Sequence, residues 1–267
     1  MRYFFFLVIS LVCFDGAAAY AQTADDLIAR NIKARGGLER IKAIKTIRVT
    51  GKIKGFGGRV MGMGEEKARP DLVRVTTIMQ GMTAIDAYDG ITGWQVEPFG
   101  GRKDPQLMGE DTLRDLLLDA DFDGSLVDYK EKGSSVEFLG HDVVDGDDAL
   151  RLKVTLKNGD IIKYFLDPDA YLEIRTEKQM FVRGSVHESF NNLGSYKKVN
   201  GVYYPFSVES GSPRHPADAQ KITYTKIEAN IAIPDSEFKM PDQPAKTAAP
   251  PSAEASGAST EKPKPPV

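Results

Sequence analysis

From residue 47 onward, apolar and polar side chains alternate. Ile47, Val49 and Ile53 are interleaved with Arg48, Thr50 and Lys52. A period of two places the two kinds on opposite faces of a strand. The same reading predicts strands over 59–66, 72–79, 83–88 and 93–98, with Asp89-Gly90 as the turn between the last two. The clearest hairpin lies further on. Leu150, Leu152, Val154 and Leu156 alternate with Arg151, Lys153 and Thr155, pass through Asn158-Gly159, and return as Ile162, Tyr164 and Leu166 to Asp167-Pro168. Strands follow over 171–176, 181–182, 186–190, 202–209 and 222–231, with Asn200-Gly201 as another turn and Pro205 marking an edge or a bulge. About ten or eleven strands in meander order, with one apolar face, must curl or close. The expected fold is mainly β with a few helices: an unclosed antiparallel β-barrel, or half-barrel, whose apolar concavity needs a cover.

Two segments switch to helical spacing. Thr23 with Asp26 forms a capping-box start, Leu27, Ile28 and Ile32 make an apolar stripe, and Gly36-Gly37 ends the helix before a further short turn over 38–43. In 111–121, Leu113, Leu116, Leu117 and Ala120 fall at i, i+3, i+4 and i+7, with Leu118 beside the stripe. These two segments are the candidate lids. A lidded apolar concavity suits greasy ligands; periodicity alone favours a filled core with no cavity.

The ends have a different composition. Arg2, the apolar run 3–14 and Ala19-Tyr20-Ala21 form the pattern of a secretory leader, too short to span a bilayer. Residues 1–21 are expected to be cleaved, leaving a folded domain over 22–241 in the periplasm. Residues 242–267, rich in Pro, Ala, Ser, Thr and Lys without an aromatic residue, are expected to be a disordered tail. The one cysteine, Cys13, lies inside the leader, and bulky Val12 before it does not suit an acylation signal. The mature chain then has no thiol for a disulfide, a thiolate metal site or thiol catalysis.

The formal charge of −3 is spread along the chain, and no basic stripe with aromatics marks a nucleic-acid surface. His141, His187 and His215 have no partner at metal-ligand spacing, and neither a Gly-x-Ser-x-Gly elbow nor a phosphate-cradling loop occurs. No enzyme activity, cofactor or metal is therefore expected. Asp119, Asp121, Asp123 and Gly124 do spell the opening of a calcium loop, but Lys130 stands where the bidentate glutamate belongs and Glu131 comes one residue late. The expected reading is a solvated acidic exit from the second lid helix, with Gly124 as its turn.

Lys67-Ala68-Arg69-Pro70-Asp71-Leu72-Val73-Arg74 resembles the Lys-Arg-Pro strand of the periplasmic lipoprotein carriers, the LolA/LolB family. Asp89-Gly90-Ile91-Thr92-Gly93-Trp94, with Pro98 beyond it, is similar to that family's Asp-Gly…Trp…Pro segment, and Ile233-Pro234-Asp235-Ser236-Glu237-Phe238 to its closing segment. The likeness is closer to the broad group of outer-membrane lipoprotein-sorting proteins than to the carrier itself. It implies an unclosed barrel with helical lids over an apolar cavity. It also implies acyl chains of lipoproteins or phospholipid as cargo, with an inner-membrane donor and an outer-membrane acceptor protein as partners. The residues expected to contact such cargo are Val73, Val75, Trp94, Leu152, Val154, Tyr164, Tyr204 and Phe206 on strands, and Leu113, Leu116 and Leu117 on the lid. Arg69 is implied to be a latch that holds the lid shut. Related folds also serve as envelope sensors, so an interaction module without transported cargo is the alternative.

Overall fold

The structure, a computed structural model, describes residues 23–242. The expected leader and tail lie outside the described residues. Helices α1 (Ala24–Arg35) and α2 (Leu38–Ala43) lead into six strands: β1 (Thr46–Lys54), β2 (Val60–Ala68), β3 (Leu72–Met79), β4 (Met82–Tyr88), β5 (Gly93–Glu97) and β6 (Arg102–Leu107). Helix α3 (Glu110–Ala120) follows. The remaining strands are β7 (Ser135–Val144), β8 (Asp147–Thr155), β9 (Ile161–Leu166), β10 (Glu173–Val182), β11 (Ser185–Gly194), β12 (Lys197–Val199), β13 (Val202–Tyr204), β14 (Ser207–Ser212) and β15 (His215–Ala229).

Thirteen strands form one antiparallel sheet in the order β6-β5-β4-β3-β2-β1-β15-β14-β11-β10-β9-β8-β7, and β12 and β13 pair apart as a small hairpin. Each half is a meander, as the alternation predicts, but the first and last strands are neighbours: β1 pairs with the long β15 from Ile47–Ala229 to Lys54–Lys221. The opening lies instead between β6 and β7, in the middle of the chain, where α3 and the 121–134 segment cross. Pro105, which has no N–H to give a ladder, suits the edge strand β6. The expected strand over 202–209 is split at Pro205: β13 belongs to the small hairpin and β14 to the large sheet.

Directly paired residues share a face, so the ladders assign the inside. Val49, Glu65, Val75, Asp86 and Gln95 lie on one face across five strands, with Ile47, Lys67, Val73 and Tyr88 beside them. Leu152, Tyr164 and Thr176 continue it on the other half. The helices pack onto this face. Leu27 and Ile28 of α1 pack against Leu150, Leu152, Val154, Ile162 and Leu166. Ile41 of α2, with Ile44, packs against Ile47, Val49 and Val202. Leu116 and Ala120 of α3 pack against Val73 and Met108. The concave face is not uniformly apolar, because Glu65, Lys67 and Asp86 stand on it.

The N-terminal lid is set by local chemistry. Asp26 N donates to Thr23 Oγ1 at 3.1 Å and Thr23 N to Asp26 Oδ2 at 3.4 Å, closing the capping box. Gly36 then ends α1 with φ of 132°, and a Cβ there would lie 2.3 Å from the Gly201 carbonyl oxygen at the tip of the β12–β13 hairpin. Gly37 also has positive φ, 92°, but faces open space. Gly37→Ala is expected to cost about 1–2 kcal/mol from backbone strain alone. Gly36→Ala is expected to cost clearly more, since it also drives the helix joint off the hairpin. Urea denaturation of the two variants measures the difference.

Candidate functional site

Arg69 closes β2 and reaches up to both lids. Its Nε donates to the Ile44 carbonyl at 2.7 Å and Nη2 to the Ile41 carbonyl at 3.1 Å, which satisfies the C-terminal end of α2. The same guanidinium holds Asp123 bidentately, Nη2 to Oδ1 at 2.5 Å and Nη1 to Oδ2 at 3.1 Å. It also lies over the Phe122 ring at 4.6 Å. Lys42 of α2 adds a bond to Asp123 Oδ2 at 2.6 Å, and Arg35 at the end of α1 donates to the Asp123 backbone oxygen at 3.1 Å. Asp123 follows α3 by three residues, so this one residue, through its carboxylate and its backbone oxygen, ties all three helical segments to the strand.

This corrects the reading of the Asp-x-Asp-x-Asp-Gly run. Asp123 is buried, not solvated. The three carboxylates also diverge. Asp121 is taken by Lys132 at 2.6 and 2.8 Å, Asp123 by Arg69 and Lys42, and Asp119 turns toward Lys67 and Glu65. Among the described residues no group of histidine, cysteine and acidic side chains has the arrangement to hold a metal. Lys130 pairs with Asp25 at 3.0 Å. Gly124 does make the turn, with φ of 84°.

Burial pushes the Asp123 carboxyl up, and the bonds and charges of Arg69 and Lys42 outweigh it, leaving its pKa below the ordinary carboxylate value. Asp119 behaves in the opposite way. Part of its surface meets solvent, yet its crowded, desolvated surroundings push it up to about 6 against the pull of Lys67.

Helix α3 spans the opening. Its apolar face rests on the first half of the sheet, where Leu113 packs so close to Gly93 that a Cβ would meet Leu113 Cδ1 at 2.5 Å. Its polar face is tied to the second half. Arg114 Nη2 bonds Asp160 Oδ1 at 3.0 Å and the Phe181 carbonyl at 2.9 Å, Asp111 accepts from Arg183 at 2.9 Å, and Asp115 from Lys178.

Cavities remain beneath the lids. One of about 400 Å³ lies at the mouth, between Pro70 and Asp71 on one side, Leu156 to Asn158 on the other, and Leu117 and Leu118 of α3. The second, of about 190 Å³, lies between the end of α1, the inner faces of β9–β11 and the β12–β13 hairpin, with Tyr164 and Tyr204 in its wall. Burial pushes the Tyr164 phenol up to about 12 and raises Tyr204 as well.

The structure sorts the expected contact residues accordingly. Leu117, Tyr164 and Tyr204 line these cavities. Val75 and Leu116 line a smaller one of about 140 Å³ with Asp86 and Asp119. Val73, Leu152 and Val154 are wholly buried under helix side chains, and Leu113 is packed on Gly93. Phe206 is buried beneath the Lys197 ammonium, 4.5 Å from its ring. Trp94 is a correction. It pairs with Ala87, one step out of phase with Val73 and Tyr88, and so faces the other side of the sheet. There its Nε1 donates to the Phe238 carbonyl at 2.7 Å, sealed by the closing segment. Asp123, Lys42, Arg35, Glu173 and Tyr196 were not anticipated at the site. The calcium-like spelling was the one signal that drew attention to Asp123.

A sheet curved around helical lids and left open at one seam is the LolA-like open barrel. Comparison with protein-family models and with curated proteins finds no match. Solved structures do match in fold. A LolA superfamily protein from Nitrosomonas europaea superposes with a TM-score of 0.54 at 11% identity, over 82% of this chain and 98% of that one. A DUF1329 family protein from Desulfovibrio piger gives 0.54 at 13% identity, over 80% and 96%. A domain described as an outer membrane lipoprotein-sorting protein from Vibrio parahaemolyticus gives 0.51 at 16%, over 79% and 94%. At such identities the likeness is one of fold. Among the described residues no helix is long and apolar enough to cross a membrane.

Removing the Asp123 carboxylate leaves Arg69 largely buried without its partner. Asp123→Ala is expected to cost about 2–4 kcal/mol, at the low end for a buried pair because Arg69 keeps some solvent contact. Because the folded pKa is depressed, the clamp's contribution is complete above the ordinary value and is lost as pH falls below about 4. Asp119 has a raised folded pKa, so its effect is a loss of stability as pH rises through its titration, between about 4 and 6. Melting curves against pH should show both slopes in the wild type. Asp123→Asn should remove the acid limb and Asp119→Asn the other.

Proposed function

We propose that the protein is an exported, non-enzymatic carrier of acyl-chain ligands, lipoprotein or phospholipid, working in the periplasm toward the outer membrane. The observation that carries this reading is an apolar concavity held shut by helices whose closure rests on one charged clamp, Arg69–Asp123. In this reading Arg69 is the latch, and the mouth beside Leu117 is where a chain enters. Val73, Val75, Leu152 and Val154 then form the surface that the chain inherits as Leu113, Leu116 and the α1 side chains withdraw. Tyr164, Tyr204 and Phe206 bound the inner end. The donor would be an inner-membrane protein and the acceptor an outer-membrane one.

The energetics are balanced. Each CH₂ moved from water into the concavity contributes about 0.8 kcal/mol, so a chain of about sixteen carbons brings roughly 12 kcal/mol. Exposing Leu27, Ile28 and Leu116 costs about 5–9 kcal/mol at the usual value for burying such side chains. The clamp adds a few more. The two sides nearly cancel, a balance that permits both uptake and release by population shift.

A second reading has its own support. Helix side chains occupy most of the concavity, and cavities of about 190 and 400 Å³ are small for a diacyl lipid. An envelope sensor or interaction module, with the same fold and no transported cargo, would look the same. Mass spectrometry of an organic extract of protein purified from periplasm without detergent separates the two. The carrier reading expects stoichiometric lipid or acylated protein, and expects Leu117→Asp, which puts a charge at the mouth, to lower its occupancy severalfold with little change in stability. A lipid-free protein that also takes up no fluorescent fatty acid would leave the interaction module.

A further inference from the structure

The inner cavity of about 190 Å³ contains two charged groups that lack their ordinary partners. Glu173 is 8% exposed. Its carboxylate accepts one hydrogen bond, from the Tyr196 hydroxyl at 3.3 Å, and that hydroxyl gives its better bond, 2.7 Å, to the Glu173 backbone oxygen. Among the described residues no cation is paired with it. Arg35 is half-buried, and its guanidinium donates to the Asp123 backbone oxygen at 3.1 Å. Among the described residues it has no carboxylate partner. Charges taken out of water are normally paired. Here a carboxylate and a guanidinium line the same cavity and do not pair with each other.

The rest of the wall is unusually aromatic. Tyr164, Tyr196, Tyr203 and Tyr204 all border the space. Tyrosine rings attract alkylammonium groups through their faces, and Tyr203 already carries the Lys198 ammonium 4.8 Å from its ring centre. The volume suits a small group. An engineered cavity of about 150 Å³ accommodates benzene, so the space is headgroup-sized and does not fit a folded acyl chain.

We propose that this cavity binds a phosphate–ammonium zwitterion. The ammonium lies among the tyrosines against Glu173, and the phosphate meets the free edge of Arg35, a side chain whose fork fits phosphate oxygens. The zwitterion can be the headgroup of a lipid whose chain enters the concavity or a free phosphoamine in solution. The lipid source rests on the carrier reading; the site itself does not.

The test is calorimetric titration of the mature chain with lysophosphatidylethanolamine, with lysophosphatidylglycerol, both below micelle formation, and with glycerophosphoethanolamine. The expected result is tighter binding of the ethanolamine lipid than of the glycerol lipid by about tenfold, the usual weight of one charge-assisted bond, and collapse of that preference in Glu173→Gln. Glutamine can still accept from Tyr196, so the variant should fold, and a melting curve checks that it does. If it does not fold, the wild-type preference decides alone. Equal binding of the two lipids would overturn the zwitterion site and leave the carrier reading standing. Binding of glycerophosphoethanolamine, lost in Glu173→Gln, with neither lipid bound, would keep the site and overturn lipid carriage. No binding of any probe would overturn both.

Discussion

The seating of the helices on the sheet depends on placing one carboxylate where three chain segments meet. Asp123 is buried, and a buried carboxylate must be answered by cations. Arg69 and Lys42 answer it from the end of β2 and from α2, while Arg35 at the end of α1 takes its backbone oxygen. Arg69 in turn satisfies two carbonyls at the end of α2. Without the Asp123 charge, the guanidinium loses the carboxylate that holds it beneath the helices.

The packing of α3 is divided unevenly between the two halves of the sheet. Most apolar contacts of α3 are to β3, β4, β5 and the residue after β6, on the first half of the sheet, while Leu118 reaches the cluster on the second half. Its polar ties to the second half are the ion pairs Arg114–Asp160, Asp111–Arg183 and Asp115–Lys178 and the bond from Arg114 to the Phe181 carbonyl. The Asp111–Arg183 and Asp115–Lys178 pairs are solvent-exposed, contribute about 0–1 kcal/mol each and screen with salt, whereas Asp160 is buried and losing Arg114 from it costs more. The buried Arg114–Asp160 pair and the apolar seat of Leu113 and Leu116 are therefore the strongest contacts that α3 would give up in the carrier reading. The seam of the sheet, which α3 spans, lies between β6 and β7.

Much of this architecture was legible in the alternation of side chains. Val49, Val154 and Tyr164 read as inward residues from period two alone, and Leu116 read as the lid's buried face. The missed strands are those whose pattern fails locally. Arg102-Lys103-Asp104-Pro105 has no apolar alternation to read. In β7 the phase set by Val136 and Phe138 is broken by a bulge before His141. The location of the seam was hidden because it depends on β1 pairing with β15, a contact across nearly the whole chain. Trp94 was misassigned because its face is set by register with Ala87 and by the closing segment that covers it. The charged Glu65, Lys67 and Asp86 follow the same period as apolar neighbours, and only the assembled ladders show that they point inward. Asp123 shows the limit most sharply. Its spacing spells a calcium loop, and only the fold brings the cations that claim it.

The central claim is that the Arg69–Asp123 clamp controls access to the concavity. The direct measurement is the rate at which a fluorescent fatty acid enters the wild type, Arg69→Lys and Asp123→Asn, by stopped-flow mixing at neutral pH. The account predicts faster entry in both variants, by about tenfold for each 1.4 kcal/mol of clamp energy removed, with the folded state retained. Entry at the wild-type rate in a folded Asp123→Asn protein would contradict it, and the clamp would then be a brace of the fold with no part in admitting a ligand.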